Sequence, residues 1–316
     1  MSRPQGATVG GQAVIEGVMM RAPEGWAVAV RRPDGIIEAK RNDLPALTTR
    51  SRAARTPFVR GMLVLAESLT LGFKALSWSA EKSADEAEPV RRGEVVVTMV
   101  VAIVVALGLF IFVPVFAAGF LQRFLGDSSV IFVFLDGLIR IGLIVGYIWL
   151  IGRSDDIQRV FQYHGAEHKT IHAYENGDPL DVSAIQKYSP RHPRCGTSFI
   201  VIVAMVAFVV FLLLAPLEFF WQVIARLALI PVIAGMSYEL LKAAAGKPWL
   251  EWASKPGMWI QSITTNEPDD NQVEVAVASL LAALDEESVT EVHARGQVAA
   301  GALAVEYDEA DEADDG

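Results

Sequence analysis

Four long apolar segments dominate the hydropathy pattern of the chain. They cover residues 95–120, 130–151, 199–220 and 223–241. Each approaches or exceeds the roughly 20 apolar residues that are needed to cross the core of a bilayer. The last two could form a buried hairpin in a large soluble core, but the uncharged run 199–214 favours insertion. The pattern therefore predicts four transmembrane helices.

The distribution of lysine and arginine predicts how these helices are oriented. Basic residues are frequent before the first span, in the 152–197 loop and after the last span. Arg123 is the only basic residue in the two short connections within the paired spans. Cytoplasmic loops carry the excess of Lys and Arg, so both termini and the 152–197 loop are predicted to be cytoplasmic.

Shorter patterns predict β-structure near the N-terminus. Residues 26–31 and 36–40 are two alternating runs that flank the turn sequence Arg32-Pro33-Asp34-Gly35. This arrangement predicts a β-hairpin. Residues 12–21 are expected to supply a further strand.

Helical spacing of apolar residues predicts two further helices outside the spans. The first covers 57–79 and is amphipathic, so it either packs in the core, which we favour, or lies on the membrane. The second begins at Pro268. Residues 286–316 are rich in Glu, Asp and Ala and lose periodicity, which predicts a disordered tail.

These patterns predict an α-helical integral membrane protein with about four transmembrane helices and a small N-terminal α+β cytoplasmic region. The expected divisions are a cytoplasmic region with hairpin and helix (1–90), a first transmembrane hairpin (91–152), a cytoplasmic His/Glu/Cys loop with a helix (153–197), a second transmembrane hairpin (198–245), a cytoplasmic C-terminal segment with a helix (246–285) and an acidic tail (286–316).

Composition supports the same class of protein. Of 316 residues, 52% are hydrophobic and only 20% are charged, which is too apolar for an ordinary soluble domain. Much of the net charge of −10 comes from the tail, so it says little about partners of the folded part. The chain has no basic stripe with interleaved aromatic residues, which argues against nucleic-acid binding. A single cysteine excludes an internal disulfide framework.

Metal-binding side chains are concentrated in one 32-residue stretch. It contains four of the five histidines and the only cysteine: His164, His168, His172, His192 and Cys195. Neutral imidazole and thiolate are the groups that bind zinc and related ions. The chain therefore contains a candidate metal site between the second and third spans.

The first part of this stretch fits a catalytic pattern. Residues 164–168 read His-Gly-Ala-Glu-His, which matches the inverted zinc-hydrolase motif H-x-x-E-H. Ser154 and Asn176-Gly177 are suitable ends for a helix around it. At about 100° per residue, the three histidines fall within about 80° of arc. Glu175 falls inside that arc and Glu167 about 60° to one side.

The second part is the loop sequence His192-Pro193-Arg194-Cys195-Gly196 before the third span. Two ligands from one turn would complete a four-ligand set, with Glu167 left for chemistry on a bound water. Arg194 or a metal would lower the pKa of the thiol. The alternatives are a hydrogen-bonded histidine face and a cysteine that packs as a small apolar residue. Zinc is the expected ion, with iron or manganese as alternatives.

Four motifs give the chain a resemblance to the YqhQ-like family, over about residues 9–284. They are GGQAVIEGVMMR (10–21), YHGAEHK (163–169), HPRCGTS (192–198) and PGMW (256–259). The resemblance implies a multi-span protein of the bacterial inner membrane with a metal site and no assigned reaction. It also adds Gln12, Glu16 and Arg21 as candidate site residues. Their glycine-rich segment suits either a close approach to a ligand or a tight strand and turn.

Three functions remain open from the sequence. The first is a membrane metallohydrolase in which Glu167 is the general base. The second is a membrane scaffold or regulator with a structural metal or none. The third is a transporter component, suggested by Asp136, Arg140 and Glu239 in the spans. The bilayer is the expected partner, and the substrate, any protein partner and homo-oligomerisation are left open.

Overall fold

The computed structural model describes residues 9–44, 56, 59–84, 92–126, 128–215, 217–246, 255–303 and 305–307. The strands are Gly10–Val14 (β1), Gly17–Arg21 (β2), Gly25–Arg31 (β3), Ile37–Asp43 (β4) and Val305–Tyr307 (β5). The helices are Val59–Lys82 (α1), Arg92–Leu107 (α2), Val113–Leu125 (α3), Ser129–Ile151 (α4), Asp155–Asn176 (α5), Val182–Ile185 (α6), Gly196–Leu213 (α7), Phe219–Gly246 (α8), Lys255–Thr264 (α9), Asp270–Ala283 (α10) and Glu286–Arg295 (α11).

The strands form one sheet in the order β1-β2-β3-β4-β5. The first four pair antiparallel, and β5 pairs parallel to β4. The predicted hairpin is confirmed as β3 and β4, with Arg31 opposite Ile37. The predicted single strand over 12–21 is instead two strands, because Ile15 and Glu16 form a tight turn in which Glu16 has φ of 50°.

The sheet lies between two helical layers. Alternate residues of β3 face opposite sides, as the twofold period of a strand requires. Ala27 and Ala29 face the layer of α5 and α10, whereas Val28 and Val30 face Leu71 of α1. Full burial of each larger aliphatic side chain contributes about 1.5–3 kcal/mol. The predicted helix over 57–79 packs on the sheet through Leu71 and Ala75, but Met62, Leu69 and Phe73 of its predicted apolar side are exposed. The expected packing is therefore correct for the helix and wrong for the face. Pro57 and Phe58 lie outside the described residues.

Helix α10 packs against both the sheet and α5. Asp269 caps it in a capping box with Gln272, which places its start close to the predicted Pro268. Val273, Ala276 and Leu280 are completely buried against the sheet and α5.

The prediction of a disordered tail is wrong for the described residues beyond 285. Asp285 caps α11, in which Val292 is completely buried. A 3₁₀ turn, Ala300–Leu303, then leads to β5 on the edge of the sheet. The prediction was wrong because the segment is mostly acidic, and its few buried apolar residues give no periodic pattern in the sequence. Residues 308–316 lie outside the described part of the chain.

Within the described residues, four helical segments are long and apolar enough to cross a membrane. In the first, α2 and α3 join through a π-helical turn, Gly108–Phe112, just before Pro114. Pro114 has no N–H for the helical ladder, which accounts for the irregular turn. The others are α4, α7 and α8, close to the predicted spans. Contacts pair α3 with α4 and α7 with α8, while α4 and α7 also meet.

Several charged side chains within these helices are paired. Asp136 is 1% exposed and accepts hydrogen bonds from Arg140 at 3.0 Å. Arg226 of α8 pairs with the same carboxylate at 3.1 Å, a partner that the sequence did not single out. Glu239 accepts a hydrogen bond of 2.8 Å from Arg60 of α1. These pairings join helices and reduce the free-energy cost of burying charge.

Candidate metal centre

Helix α5 carries the histidines and has the predicted bounds. It begins after Ser154 and ends at Gly177, whose φ of 76° is the left-handed cap that glycine favours. Gly165 lets the segment after α9 approach closely, because a Cβ there would lie 2.0 Å from the carbonyl oxygen of Asn266. The N–H of Asn266 donates to the carbonyl of Phe161 at 3.0 Å. This contact places the end of α9 beside the histidines.

Two histidines of α5 are oriented by backbone carbonyls. Nδ1 of His164 donates to the carbonyl of Thr264 at 2.9 Å. Nδ1 of His168 donates to the carbonyl of Pro190 at 2.6 Å. Each bond fixes the tautomer that leaves the Nε2 lone pair available, which is the usual arrangement of a metal-binding histidine.

Cys195 completes a buried cluster with these histidines. Nε2 of His164 lies 3.1 Å from its Sγ, and the ligand atoms of His164, His168 and Cys195 all lie within 4.8 Å of one another. An ion with Zn–N bonds of about 2.0 Å and Zn–S bonds of about 2.3 Å separates tetrahedral ligands by about 3.5 Å. Small side-chain shifts would therefore bring all three onto one ion, so this His/His/Cys cluster could hold a metal.

Glu167 lies beside the cluster in an apolar environment. Burial raises the pKa of its carboxyl group to about 8, although the nearby His164 and a hydrogen bond from the backbone N–H of Gly11 act in the opposite direction. Within the described residues, Oε2 of Glu167 and Nε2 of His168 are buried without a hydrogen-bond partner. Buried polar atoms are nearly always partnered. The unpartnered Nε2 of His168, a member of the cluster, fits a bound cation.

His172 and His192 are close to the cluster but are engaged elsewhere. Nε2 of His172 donates to the carbonyl of Arg191 at 3.0 Å, and its ring stacks on Tyr188. Nδ1 of His192 accepts from the backbone N–H of Arg194 at 3.2 Å. The two rings lie 4.4 Å apart, centre to centre. The structure therefore places both residues next to the three-ligand cluster without bringing them into it.

The acidic and basic residues around His192 form a separate pair. Glu175 binds Arg194, and its carboxylate lies 3.6 Å from Nε2 of His192. Arg194 is thus directed to a carboxylate instead of to the thiol. Burial raises the pKa of the Cys195 thiol, while hydrogen bonds from Thr197 lower it. Without a metal, the thiol is therefore not activated in the way the sequence suggested.

The three N-terminal candidates separate into two groups. Gln12 and Arg21 line the cavity beside the cluster. Gln12 packs against α1, where a Cβ at Gly72 would lie 3.0 Å from its amide, and Arg21 binds the buried Glu67. Glu16 instead accepts a hydrogen bond of 2.6 Å from Arg159, at the start of α5.

The cavity has a volume of about 220 Å³ and joins β1, β2, α1 and α5 to the start of α7. One part of its lining is polar and contains residues of the cluster, and another is apolar. The lining residues are Val9, Gly10, Gly11, Gln12, Met19, Arg21, Ser68, Leu71, Glu167, His168, Ile171, His192, Arg194, Cys195 and Gly196.

Gln261 is a supporting residue that sequence reasoning missed. Its side chain is completely buried and makes two hydrogen bonds of 2.9 Å to the backbone of His192, one to the N–H and one to the carbonyl. Close packing of α9 on α7 makes this possible, since a Cβ at Gly257 would lie 2.3 Å from Oγ of Ser198. The only signal in the sequence was the neighbouring PGMW motif, which carried resemblance but no geometry.

Sheet, candidate spans and cluster together define a mostly helical protein with four candidate membrane helices and a buried His/His/Cys site. The chain belongs to the family described as "Protein of unknown function (DUF1385)", whose model matches residues 56–286. It is 36% identical over 302 residues to "Uncharacterized protein YqhQ" of Bacillus subtilis (strain 168), covering 89% of this chain and 94% of that protein. The resemblance to the YqhQ-like family is therefore confirmed. No solved structure matches the chain.

Proposed function

We propose that this protein is a metal-dependent hydrolase of the bacterial cytoplasmic membrane, with a divalent ion held by His164, His168 and Cys195. One observation carries the proposal. Both imidazoles donate Nδ1–H to backbone carbonyls, and their ligand atoms lie within 4.8 Å of each other and of a buried thiol. If the histidines served only as hydrogen-bonding groups, the Nε2 lone pairs of both His164 and His168 would not need to lie close to Sγ of Cys195.

The donor set favours zinc, with iron or manganese as alternatives. Three protein ligands leave a further position open, which is typical of catalytic sites rather than structural ones. When bound, such an ion lowers the pKa of a water molecule towards neutrality and polarises the oxygen of a substrate.

Glu167 is the proposed general base. Its pKa of about 8 lies near the pH at which a proton must be both accepted and returned. Its unpartnered Oε2 is the atom that would take the proton from water as the water oxygen bonds to the substrate. The same group would then give this proton to the leaving group, so that Glu167 ends the reaction in its starting protonation state.

The apolar helices support a multi-pass membrane protein. With the predicted orientation, both termini and the 152–197 loop are cytoplasmic. Cys195 caps α7, so the site would lie at the cytoplasmic end of a span. Such a position gives access to substrates that are dissolved in the cytoplasm and to those that are embedded in the membrane.

A scaffold or regulator with a structural metal is the second candidate. It is favoured by the way in which the cluster ties α5 to the start of α7, since Cys195 is both the cap of α7 and the partner of His164. Glu167→Gln separates the two candidates. The variant should keep its metal in both cases, but it should lose activity only if the protein is a hydrolase. The paired charges of the spans give the transporter no separate support.

The deciding experiment is elemental analysis of the full chain in detergent. Wild type should carry close to one equivalent of zinc, iron or manganese, and His164→Ala/His168→Ala should carry almost none. His172→Ala is the matched control, because it removes a histidine of the same helix that is bonded outside the cluster. Equal metal content in wild type and the double variant would overturn the proposal.

A further inference from the structure

The cavity beside the cluster has two arginines in its lining. Arg21 comes from β2 and Arg194 from the loop before α7. Each guanidinium contacts one carboxylate most closely through Nη2, and a guanidinium carries five N–H donors in all. Both side chains are about one-third exposed, with values of 32% and 36%. They therefore keep donors for a further anion.

The two carboxylates hold these arginines in place. Glu67 of α1 is 4% exposed and binds Arg21, and Glu175 of α5 binds Arg194. Arginines that are already oriented lose less side-chain entropy when they bind a ligand. The pairs also remove the net charge of the arginines, so the cavity tolerates them without a ligand.

The start of α7 adds a positive partial charge to a cavity in which the charges of both arginines are balanced by carboxylates. Gly196, the first residue of this 18-residue helix, lines the cavity. The N-terminus of a helix carries about half a positive charge. In α7 the N–H groups of Thr197 and Ser198 already bond to Cys195, so the helix contributes mainly through this partial charge. Independently of the helix, Glu167 and His168 line the cavity with buried atoms that have no partner in the described residues. His168 belongs to the candidate metal cluster, so an anion bound in the cavity would lie next to the proposed cation.

We propose that the cavity binds a phosphate-type anion, held by Arg21, Arg194 and the N-terminus of α7 beside the His/His/Cys cluster. Two guanidiniums from different elements suit a tetrahedral anion with several acceptor edges better than one planar carboxylate. The anion site gives the substrate class of the proposed hydrolase, and this inference rests on the proposed hydrolase function. The bond to be hydrolysed beside Glu167 is thus that of a phosphate ester.

Cavity size limits how much of the ligand enters. About 220 Å³ corresponds to roughly seven water molecules, enough for a phosphate group and a short substituent. Val9, Met19 and Leu71 form an apolar part of the lining that suits the beginning of a hydrocarbon chain. Phosphate can therefore come from a lipid head group at the membrane surface or from a soluble ester.

Binding, not activity, tests the proposal. The full chain in a phosphate-free detergent is first titrated with inorganic phosphate. It is then reconstituted in a neutral bilayer that contains trace spin-labelled phosphatidic acid or, for comparison, spin-labelled phosphatidylcholine. Wild type should bind phosphate and enrich phosphatidic acid. Binding of phosphate alone would support a soluble ester, and enrichment of phosphatidic acid alone would support a lipid head group. A wild type that binds neither while it carries its metal would overturn the phosphate site and leave the metal proposal standing.

Charge-balanced variants avoid leaving a buried carboxylate unpaired. Arg21→Gln/Glu67→Gln and Arg194→Gln/Glu175→Gln should each weaken phosphate binding by about tenfold to a hundredfold, the effect of losing a charged hydrogen bond. Their metal content should stay at the wild-type level. Arg32→Gln, on the β3–β4 turn outside the cavity, is the control. Unchanged affinity in both double variants would overturn the proposal. His164→Ala/His168→Ala should still bind phosphate weakly, which separates the anion site from the metal site.

Discussion

Gly11 of the first strand packs against Glu167 of the helix that carries the candidate metal ligands, and its backbone N–H acts to lower the pKa of the Glu167 carboxyl group. The contact requires a residue without a side chain. A Cβ at Gly11 would lie 2.5 Å from the carbonyl oxygen of Met19 and 3.1 Å from Cγ of Glu167. The N-terminal glycine motif and the H-x-x-E-H motif are therefore parts of one site.

Gly11→Ala should destabilise the protein by about 1–3 kcal/mol, because the added methyl group overpacks a site that is closed on one side by backbone. It should also displace the side chain of Glu167. Thermal unfolding of purified protein measures the effect. Gly10→Ala is the control, since nothing lies within 4 Å of a Cβ at Gly10. Equal melting temperatures for the two variants would contradict the packing described here.

Gln261→Leu should destabilise the loop that carries His192 and Cys195. The change leaves the N–H and carbonyl of His192 without their buried partner, and each unsatisfied group costs about 1–3 kcal/mol. We expect a lower melting temperature and weaker metal retention on dialysis against a chelator. Ser262→Ala is the control, because Ser262 is exposed on the same helix and bonds only within it. Metal retention equal to that of Ser262→Ala would show that Gln261 does not position the loop.

The local elements were predictable because they depend on short-range patterns. The capping residues of α5 and the turn between β3 and β4 are encoded within a few positions. The two-strand division at Ile15 and Glu16 was missed because a positive φ at glutamate has no signal in the sequence. The folded segment after Asp285 was missed because Val292 is buried by distant parts of the chain, while its neighbours are acidic.

The candidate site was only partly predictable. The spacing of His164 and His168 on one helical face was readable from the sequence. Their tautomers depend on the carbonyls of Thr264 and Pro190, which are 100 and 22 positions away. Likewise, the sequence does not show which residue of the loop before α7 joins the cluster. The packing of this loop brings Sγ of Cys195 to His164, whereas Nδ1 of His192 accepts a hydrogen bond from Arg194. The ligand assignment as a whole stays a prediction.

The pH dependence of stability should follow the buried histidines. Burial lowers the pKa of His192 to about 4, whereas an unfolded histidine has a pKa of about 6.5. The unfolded chain therefore binds more protons between these values, and the free energy of unfolding falls as the pH is lowered through this window. For His192 alone the loss approaches about 3 kcal/mol by pH 4.

Comparison of variants isolates this effect. Glu167 has the opposite effect on the free energy of unfolding. Because its pKa is raised to about 8, its contribution to stability is lost as the pH rises from about 4.5 to 8. The melting temperature of metal-free protein should drop less between pH 7 and pH 5 in His192→Gln than in wild type. His293→Gln, at an exposed position on α11, should behave as wild type. The same drop in all three proteins would rule out a neutral, buried His192.

Asp136→Asn should strongly destabilise the helical bundle. Asp136 is the carboxylate shared by Arg140 and Arg226, and its loss leaves two guanidiniums without a counter-ion. Removing one partner of a buried ion pair costs about 3–5 kcal/mol, whereas replacing the whole group with apolar residues is often neutral. The triple variant Asp136→Leu/Arg140→Leu/Arg226→Met should therefore melt well above Asp136→Asn in the same detergent. If the triple variant is instead the less stable of the two, the charged network contributes net stability to the bundle, and the argument that it only offsets its own cost of burial is wrong.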